Sequence, residues 1–167
     1  MALKYKQRQE AKDAVKRATN MLGRSKSADS LRDKVSRAYY ACYHCIVAAT
    51  FLKQWFEKNP KEGSPHLLNK NLYVSHYSKT SGNPIIKEIK NVSKTLKDWK
   101  ELRESADYDV FVEDFELSQE EETKRTLNFM YDFVDRHIAY VNSKLEDATK
   151  HSAEPTISTV FTRKGKD

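Results

Sequence analysis

The chain has 167 residues, of which 38% are hydrophobic and 32% charged, and its formal net charge at pH 7 is +6. This length fits one domain with a hydrophobic core, and no apolar run approaches the roughly 20 residues of a membrane-spanning helix. The N-terminus lacks the apolar region of a signal peptide, and two cysteines three residues apart exclude a disulfide framework, so a cytoplasmic protein is expected.

The first predicted helix covers residues 3–22, where alanines and larger apolar residues recur at helical spacing. Gly23 is expected to end it, because glycine is favoured just after a helix. The excess of positive charge is compatible with an anionic partner, nucleic acid first. The polar face of this helix is basic and carries Lys4, Lys6, Arg8, Lys12, Lys16 and Arg17.

The second predicted helix, from about 28 to 57, is the least polar one, and Ser27 or Ser30 is expected to cap it. A helix with apolar groups on both sides is buried on both sides, so this helix should be central in the fold. One broad face carries Leu31, Val35, Ala38, Cys42, Cys45, Ile46, Ala49, Leu52 and Phe56. A second line, roughly 120–140° away at about 100° per residue, carries Arg37, Tyr40, Ala41, His44, Ala48, Phe51 and Trp55.

Three more helices are predicted: a short one at 66–77, one at 85–103 with lysines on its outer face, and a last one ending near Asp147. Residues 104–116 are expected to form a loop, or at most a ragged helix end. Few glycines and prolines and the lack of alternating runs predict an all-α fold, an antiparallel bundle of four to five helices. The bundle would occupy residues 1–147, with 148–167 as a C-terminal tail, flexible or docked on a partner.

The second line of the central helix offers candidates for chemistry. Arg37 and His44 are two turns apart, about 10 Å along the helix axis. An arginine can hold a phosphate while a histidine moves a proton. Alternatively, His44 hydrogen-bonds between helices and Arg37 pairs with a carboxylate.

Other residues also have two interpretations. Cys42 and Cys45 could suggest a metal site. However, both are expected on the core face of the helix, away from His44, and the sequence offers no second pair of ligands. Buried thiols are therefore the favoured interpretation. The tyrosines of the central helix could stack bases or simply pack. The lysines at 87–100 could contact an RNA backbone or form a solvated face. His76 lies after a predicted helix end. Arg103 with Asp107 and Tyr108 lies at a helix-to-loop junction, where functional groups often occur; alternatively, Arg103 and Asp107, four residues apart, simply form an ion pair.

Two stretches together resemble the HEPN superfamily: SRAYYACYH at 36–44 and LRESADYD at 102–109. Between them, LYVSHYSK at 72–79 is similar to the Ser-His stretch of this family. The resemblance implies a dimeric four- or five-helix bundle with a cleft. It also implies an endoribonuclease that needs no metal or other cofactor, in which a base deprotonates the ribose 2′-hydroxyl and an arginine stabilises the phosphate.

The family's nuclease signature is an arginine and a later histidine with four to six residues between them. Arg37 and His44 match it loosely, whereas Arg103, at the expected helix end, is followed by Asp107 and Tyr108 instead of a histidine. The resemblance therefore implies Arg37 and Arg103 as phosphate ligands, His44 as acid and base, and Asp107 as the residue that orients an arginine. The expected substrate-binding residues are Tyr40, Tyr108 and His76.

The resemblance also places the chain in a toxin–antitoxin or defence setting, with RNA, a second copy and an antitoxin as expected partners. A non-catalytic subunit is the alternative. Such a subunit would bind nucleotide or RNA, or pair with a minimal nucleotidyltransferase, and its Arg37 would have a structural partner.

Overall fold

The computed structural model describes residues 5–52, 70–71, 73–75, 92–108 and 120–150. Of these residues 96% are helical and none is in a β-strand, so the predicted all-α fold is confirmed. The four main helices are α1 (Tyr5–Lys26), α2 (Leu31–Leu52), α3 (Val92–Tyr108) and α4 (Glu120–Lys150). Residues 70–71 and 73–75 are also helical and are called the Tyr73 segment below.

The central position predicted for the second helix is confirmed. Helix α2 contacts α1, α3 and α4, and twelve of its residues are buried. Both cysteines are buried in this core, and their thiols donate to the Met130 and Val134 carbonyls of α4 at 3.6 and 3.8 Å. On α3, Trp99 meets the ring of Phe133 edge to face, with centroids 5.3 Å apart. The core therefore runs through α2 with the other helices packed around it.

The side-chain contacts also fix the helix directions. The end of α1 lies against the start of α2, where Ser25 donates to the Lys34 carbonyl at 2.6 Å. The end of α3 reaches the same part of α2, because the Nε of Arg32 donates to the Ala106 carbonyl at 2.7 Å. Helices α1 and α3 are thus antiparallel to α2, whereas α4 runs parallel to it. This arrangement is the predicted antiparallel bundle.

Two helix ends differ from the prediction. Helix α1 continues through Gly23 to Lys26, because Ser25 in the extra turn is buried and also meets the Tyr131 hydroxyl at 3.0 Å. Helix α3 continues past Arg103 to Tyr108 as regular helix, where a loop, or at most a ragged helix end, was expected for residues 104–116. There Ala106 is buried against Val35, so tertiary packing extends both helices.

The start of α2 agrees with one of the two predicted caps. The backbone N–H of Asp33 donates to the hydroxyl of Ser30 at 3.1 Å, which satisfies one of the unpaired groups of a helix N-terminus. Ser27 instead donates to the Arg24 carbonyl of α1 at 3.4 Å.

Several predicted features lie outside the described residues. They are the end of the predicted helix at 28–57 with Trp55 and Phe56, most of the short helix at 66–77 with His76, the start of the predicted helix at 85–103, and the tail after Lys150. None of the described helices is long and apolar enough to cross a membrane.

Candidate functional site

The end of α3 places Arg103 in a nearly closed environment. Its Nη1 donates to the Asp107 carboxylate at 2.9 Å, one helical turn further on, and only 11% of the Arg103 side chain is exposed. Exposed pairs at this spacing contribute little. Arg103 is partly buried but Asp107 is exposed, so solvent still screens this pair in part.

Three tyrosine rings surround the Arg103 guanidinium. Its Cζ lies 5.4 Å from the ring centroid of Tyr39, 5.5 Å from that of Tyr40 and 5.9 Å from that of Tyr108. Tyr39 and Tyr40 are neighbours on α2, and their side chains project about 100° apart around the helix axis. Their rings therefore lie on either side of the part of α2 that faces α3. Cation–π attraction at these distances fixes the guanidinium between the helices. We call Arg103, Asp107, Tyr39, Tyr40 and Tyr108 the Arg103 cluster.

One polar atom of this cluster has no partner. The Nε of Arg103 is buried and has no hydrogen-bond acceptor in the part of the chain that the structure describes. An unpaired buried donor costs about 1–3 kcal/mol. Such groups are a known form of stored strain at functional sites.

The electrostatics keep the cluster cationic at neutral pH. Burial alone would lower the pKa of Arg103, but the Asp107 hydrogen bond and the Tyr40 and Tyr108 hydroxyls together raise it. Burial raises the pKa of Tyr39 to about 12, although the nearby Arg103 charge opposes this. The arginine therefore stays charged and the Tyr39 phenol stays protonated. The cluster can bind an anion, but Tyr39 cannot serve as a base.

The most exposed member of the cluster is Tyr108, with 73% of its surface accessible. A largely accessible ring beside a partly buried guanidinium offers a flat face for stacking, and nucleic-acid bases stack on such rings. One nucleotide could therefore place its phosphate on Arg103 and stack its base on Tyr108.

Arg37 is held away from this cluster by partners of its own. Its Nη1 donates to the Arg24 carbonyl at the end of α1 at 3.2 Å, and its Nη2 lies 3.6 Å from the Asp33 carboxylate. The side chain remains 36% exposed, so its outer surface can still meet a ligand. Both interactions fit the structural interpretation of Arg37. Tyr40, which lies beside Arg103, is about one turn further along α2 from Arg37.

His44 lies on the same side of α2 as Tyr40, one turn further on, which is about 6 Å along the axis. It is partly buried, and its ring centroid is 5.8 Å from that of Tyr43. The described part of the Arg103 cluster itself contains no histidine. The fold thus brings Arg103, Asp107, Tyr40 and Tyr108 together and leaves Arg37 and His44 along the adjoining face of α2.

The cysteines do not belong to this site. Burial raises the pKa of the Cys42 thiol well above its usual value and raises that of Cys45 as well, so both remain neutral. Among the described residues, no group of three or more His, Cys, Asp or Glu side chains is placed to hold a metal ion.

A buried histidine that the sequence did not single out lies in α4. His137 is fully buried, its ring is stacked on Phe133, and its Nδ1 is 2.8 Å from the Phe133 carbonyl. That carbonyl can only accept, so Nδ1 carries the proton and Nε2 accepts from the hydroxyl of Tyr73, which is also fully buried. The pair ties the Tyr73 segment to α4. The sequence did contain a signal for this burial, because His137 lies at helical spacing from Met130 and Phe133, on the apolar face of α4.

Comparisons with protein-family models, with curated proteins and with solved structures find no match for this chain.

Proposed function

We propose that the Arg103 cluster is the RNA-binding site of a HEPN-type protein, and that this protein cleaves RNA phosphodiesters without a metal ion. The partly buried guanidinium of Arg103 carries the proposal, because three tyrosine rings hold it and its Nε has no acceptor among the described residues. A preorganised cation of this kind stabilises charge that builds up on a phosphate during reaction. The paired SRAYYACYH and LRESADYD motifs add support from the sequence.

The reaction is a transesterification within the RNA. His44 accepts the proton of a ribose 2′-hydroxyl, and the 2′-oxygen attacks the adjacent phosphorus. The bond from phosphorus to the 5′-oxygen breaks, a cyclic phosphate forms, and the leaving oxygen takes a proton from solvent. Arg103 neutralises the phosphate, with Asp107 orienting its guanidinium, and Arg37 contacts the backbone beside it.

Two tyrosines bind the substrate in this scheme. Tyr108 stacks a base, and Tyr40 forms the wall between Arg103 and the His44 side of α2. His76 would add a further contact. A homodimer in the cytoplasm, acting in toxin–antitoxin or defence biology, is the setting that the family resemblance favours.

Cleavage of end-labelled transfer RNA and total RNA, with EDTA and with magnesium, tests this proposal. We expect cutting in EDTA that His44→Ala and Arg103→Ala each abolish. Arg136→Ala is the matched control, because Arg136 makes the same one-turn ion pair with Asp132 on α4. If the His44 and Arg103 variants cut like the parent protein, the assignment of the site is wrong.

The second candidate is a non-catalytic subunit that binds nucleotide or RNA, or that pairs with a nucleotidyltransferase or an antitoxin. The two partners of Arg37 within its own chain favour it. This candidate predicts no cutting at any protein concentration. It also predicts that Arg37→Ala lowers the melting temperature, by about 2–4 °C for each kcal/mol of unfolding free energy lost. A purely catalytic role of Arg37 predicts an unchanged melting temperature.

A further inference from the structure

The solvent face of α1 carries an excess of positive charge without internal partners. The helix has seven basic and two acidic residues. Six of the basic residues are exposed; Lys26 pairs with Asp135 of α4, and the other five form no ion pair with any residue that the structure describes. We call these five residues the α1 basic face: Lys6, Lys12, Lys16, Arg17 and Arg24.

Helices α3 and α4 have no excess of positive charge, and α2 has a smaller excess than α1, with three basic residues and one acidic residue. Helix α3 has four basic and four acidic residues, and α4 has five and seven. Ion pairs on α3 join Lys97 to Glu101 and Lys100 to Glu104, and on α4 Lys124 pairs with Glu120. The outer lysines of α3, which the sequence offered as a backbone-binding ridge, are thus partly neutralised. The uncompensated charge of the described bundle is concentrated on α1.

The geometry of α1 suits a long, charged ligand. From Lys6 to Arg24 the helix rises about 27 Å. Lys12 and Lys16 are one turn apart on the same side, and like charges at this spacing destabilise a helix. No carboxylate of the described chain relieves that repulsion through an ion pair. A polyanion laid along the helix would do so, with release of its counterions.

The α1 basic face also leads towards the Arg103 cluster. The carbonyl of Arg24, at its C-terminal end, accepts from Arg37 of α2. One turn along α2 from Arg37 is Tyr40, whose ring lies 5.5 Å from the Cζ of Arg103. Positive groups therefore continue from α1, through the exposed part of Arg37, to the partly buried guanidinium of Arg103.

We infer that the α1 basic face binds the sugar-phosphate backbone of single-stranded RNA, and that Arg37 joins this face to the Arg103 cluster. The choice of RNA as the polyanion rests on the proposed function. One RNA strand then contacts α1 along its length and reaches the Arg103 cluster at its end. Binding along α1 depends on charge and is independent of base sequence.

Fluorescence anisotropy with a labelled single-stranded RNA tests this inference. The RNA is long enough to span α1, and its 2′-hydroxyls are methylated so that it cannot be cut. The variant Lys12→Gln/Lys16→Gln/Arg17→Gln is compared with Lys97→Gln/Lys124→Gln/Lys144→Gln, which removes the same net charge from α3 and α4. Circular dichroism confirms that each variant is folded.

We expect the α1 variant to bind the RNA at least about tenfold more weakly near 50 mM salt. The slope of the logarithm of the binding constant against the logarithm of the salt concentration should become smaller by about 2, because each of three lost phosphate contacts to a single strand contributes about 0.7. The control variant should stay within about threefold of the parent protein. Equal losses in the two variants, or no loss in the α1 variant, would overturn the inference.

A parallel titration of Arg103→Ala separates this inference from the proposed function. If Arg103→Ala binds RNA like the parent protein while the α1 variant loses affinity, the result supports RNA binding by the α1 basic face and contradicts the proposed Arg103 site. The reverse pattern removes the role of α1 and leaves the site. If the parent protein does not bind RNA at all, both proposals fail.

Discussion

The buried His137 makes the stability of this protein sensitive to mild acid. Burial, only partly offset by the bond to the Phe133 carbonyl, lowers the pKa of His137 to about 4. In the unfolded chain a histidine has a pKa of about 6.5. Between these values the unfolded state binds a proton that the native state does not, so stability decreases as the pH falls from about 6.5 towards 4.

The size of the effect follows from the two pKa values. Each pKa unit corresponds to about 1.4 kcal/mol, so complete protonation of the unfolded histidine costs about 3 kcal/mol of native stability. Between about pH 7.5 and pH 5 the expected loss from His137 alone is about 2 kcal/mol. The native state resists protonation because the ring is fully buried and Nε2 already accepts from Tyr73, whereas the bond from Nδ1 to the Phe133 carbonyl acts in the opposite direction.

Urea unfolding followed by circular dichroism at the two pH values measures this loss. The variant His137→Gln cannot titrate there, so the difference between parent and variant isolates His137 from all other groups. We expect the pH-dependent change in unfolding free energy to be about 2 kcal/mol smaller in the variant. An equal pH dependence in the two proteins would refute the reasoning. If His137→Gln does not fold, the chemical shifts of the His137 ring in the parent protein give the native pKa directly, and a value near 6.5 would refute it as well.

Three further predictions concern local features. Gly23→Ala should raise the unfolding free energy by about 0.5–1 kcal/mol in a thermal melt, because Gly23 is helical and a Cβ there meets nothing within 4 Å; a lower melting temperature would contradict it. Ser30→Ala should lower the unfolding free energy by about 1 kcal/mol through loss of the α2 cap, whereas Ser27→Ala should change it by no more than a few tenths. Cys42 and Cys45 should react with a thiol reagent only as fast as the protein opens, because burial raises their pKa values; rapid labelling of the native protein would show that the bundle is looser than described.

The sequence was sufficient for the features that depend on periodicity. Apolar residues at helical spacing predicted the buried face of α1, the burial of α2 on several sides and the inner stripe of α4. These predictions succeed because a helix repeats its side-chain directions every 3.6 residues whatever it packs against. The ion pair between Arg103 and Asp107 was predictable for the same reason, since both residues lie on one helix four positions apart.

Only tertiary structure decided the features that join distant residues. Gly23 and the residues after Arg103 locally favour a helix end, but the burial of Ser25 and Ala106 extends both helices. The placement of Arg103 between the rings of two adjacent α2 tyrosines depends on how α3 crosses α2. The bond between Tyr73 and His137 likewise exists only after the Tyr73 segment has packed on α4. Helical spacing fixes directions within a helix, whereas the choice between two partners on different helices is made by packing.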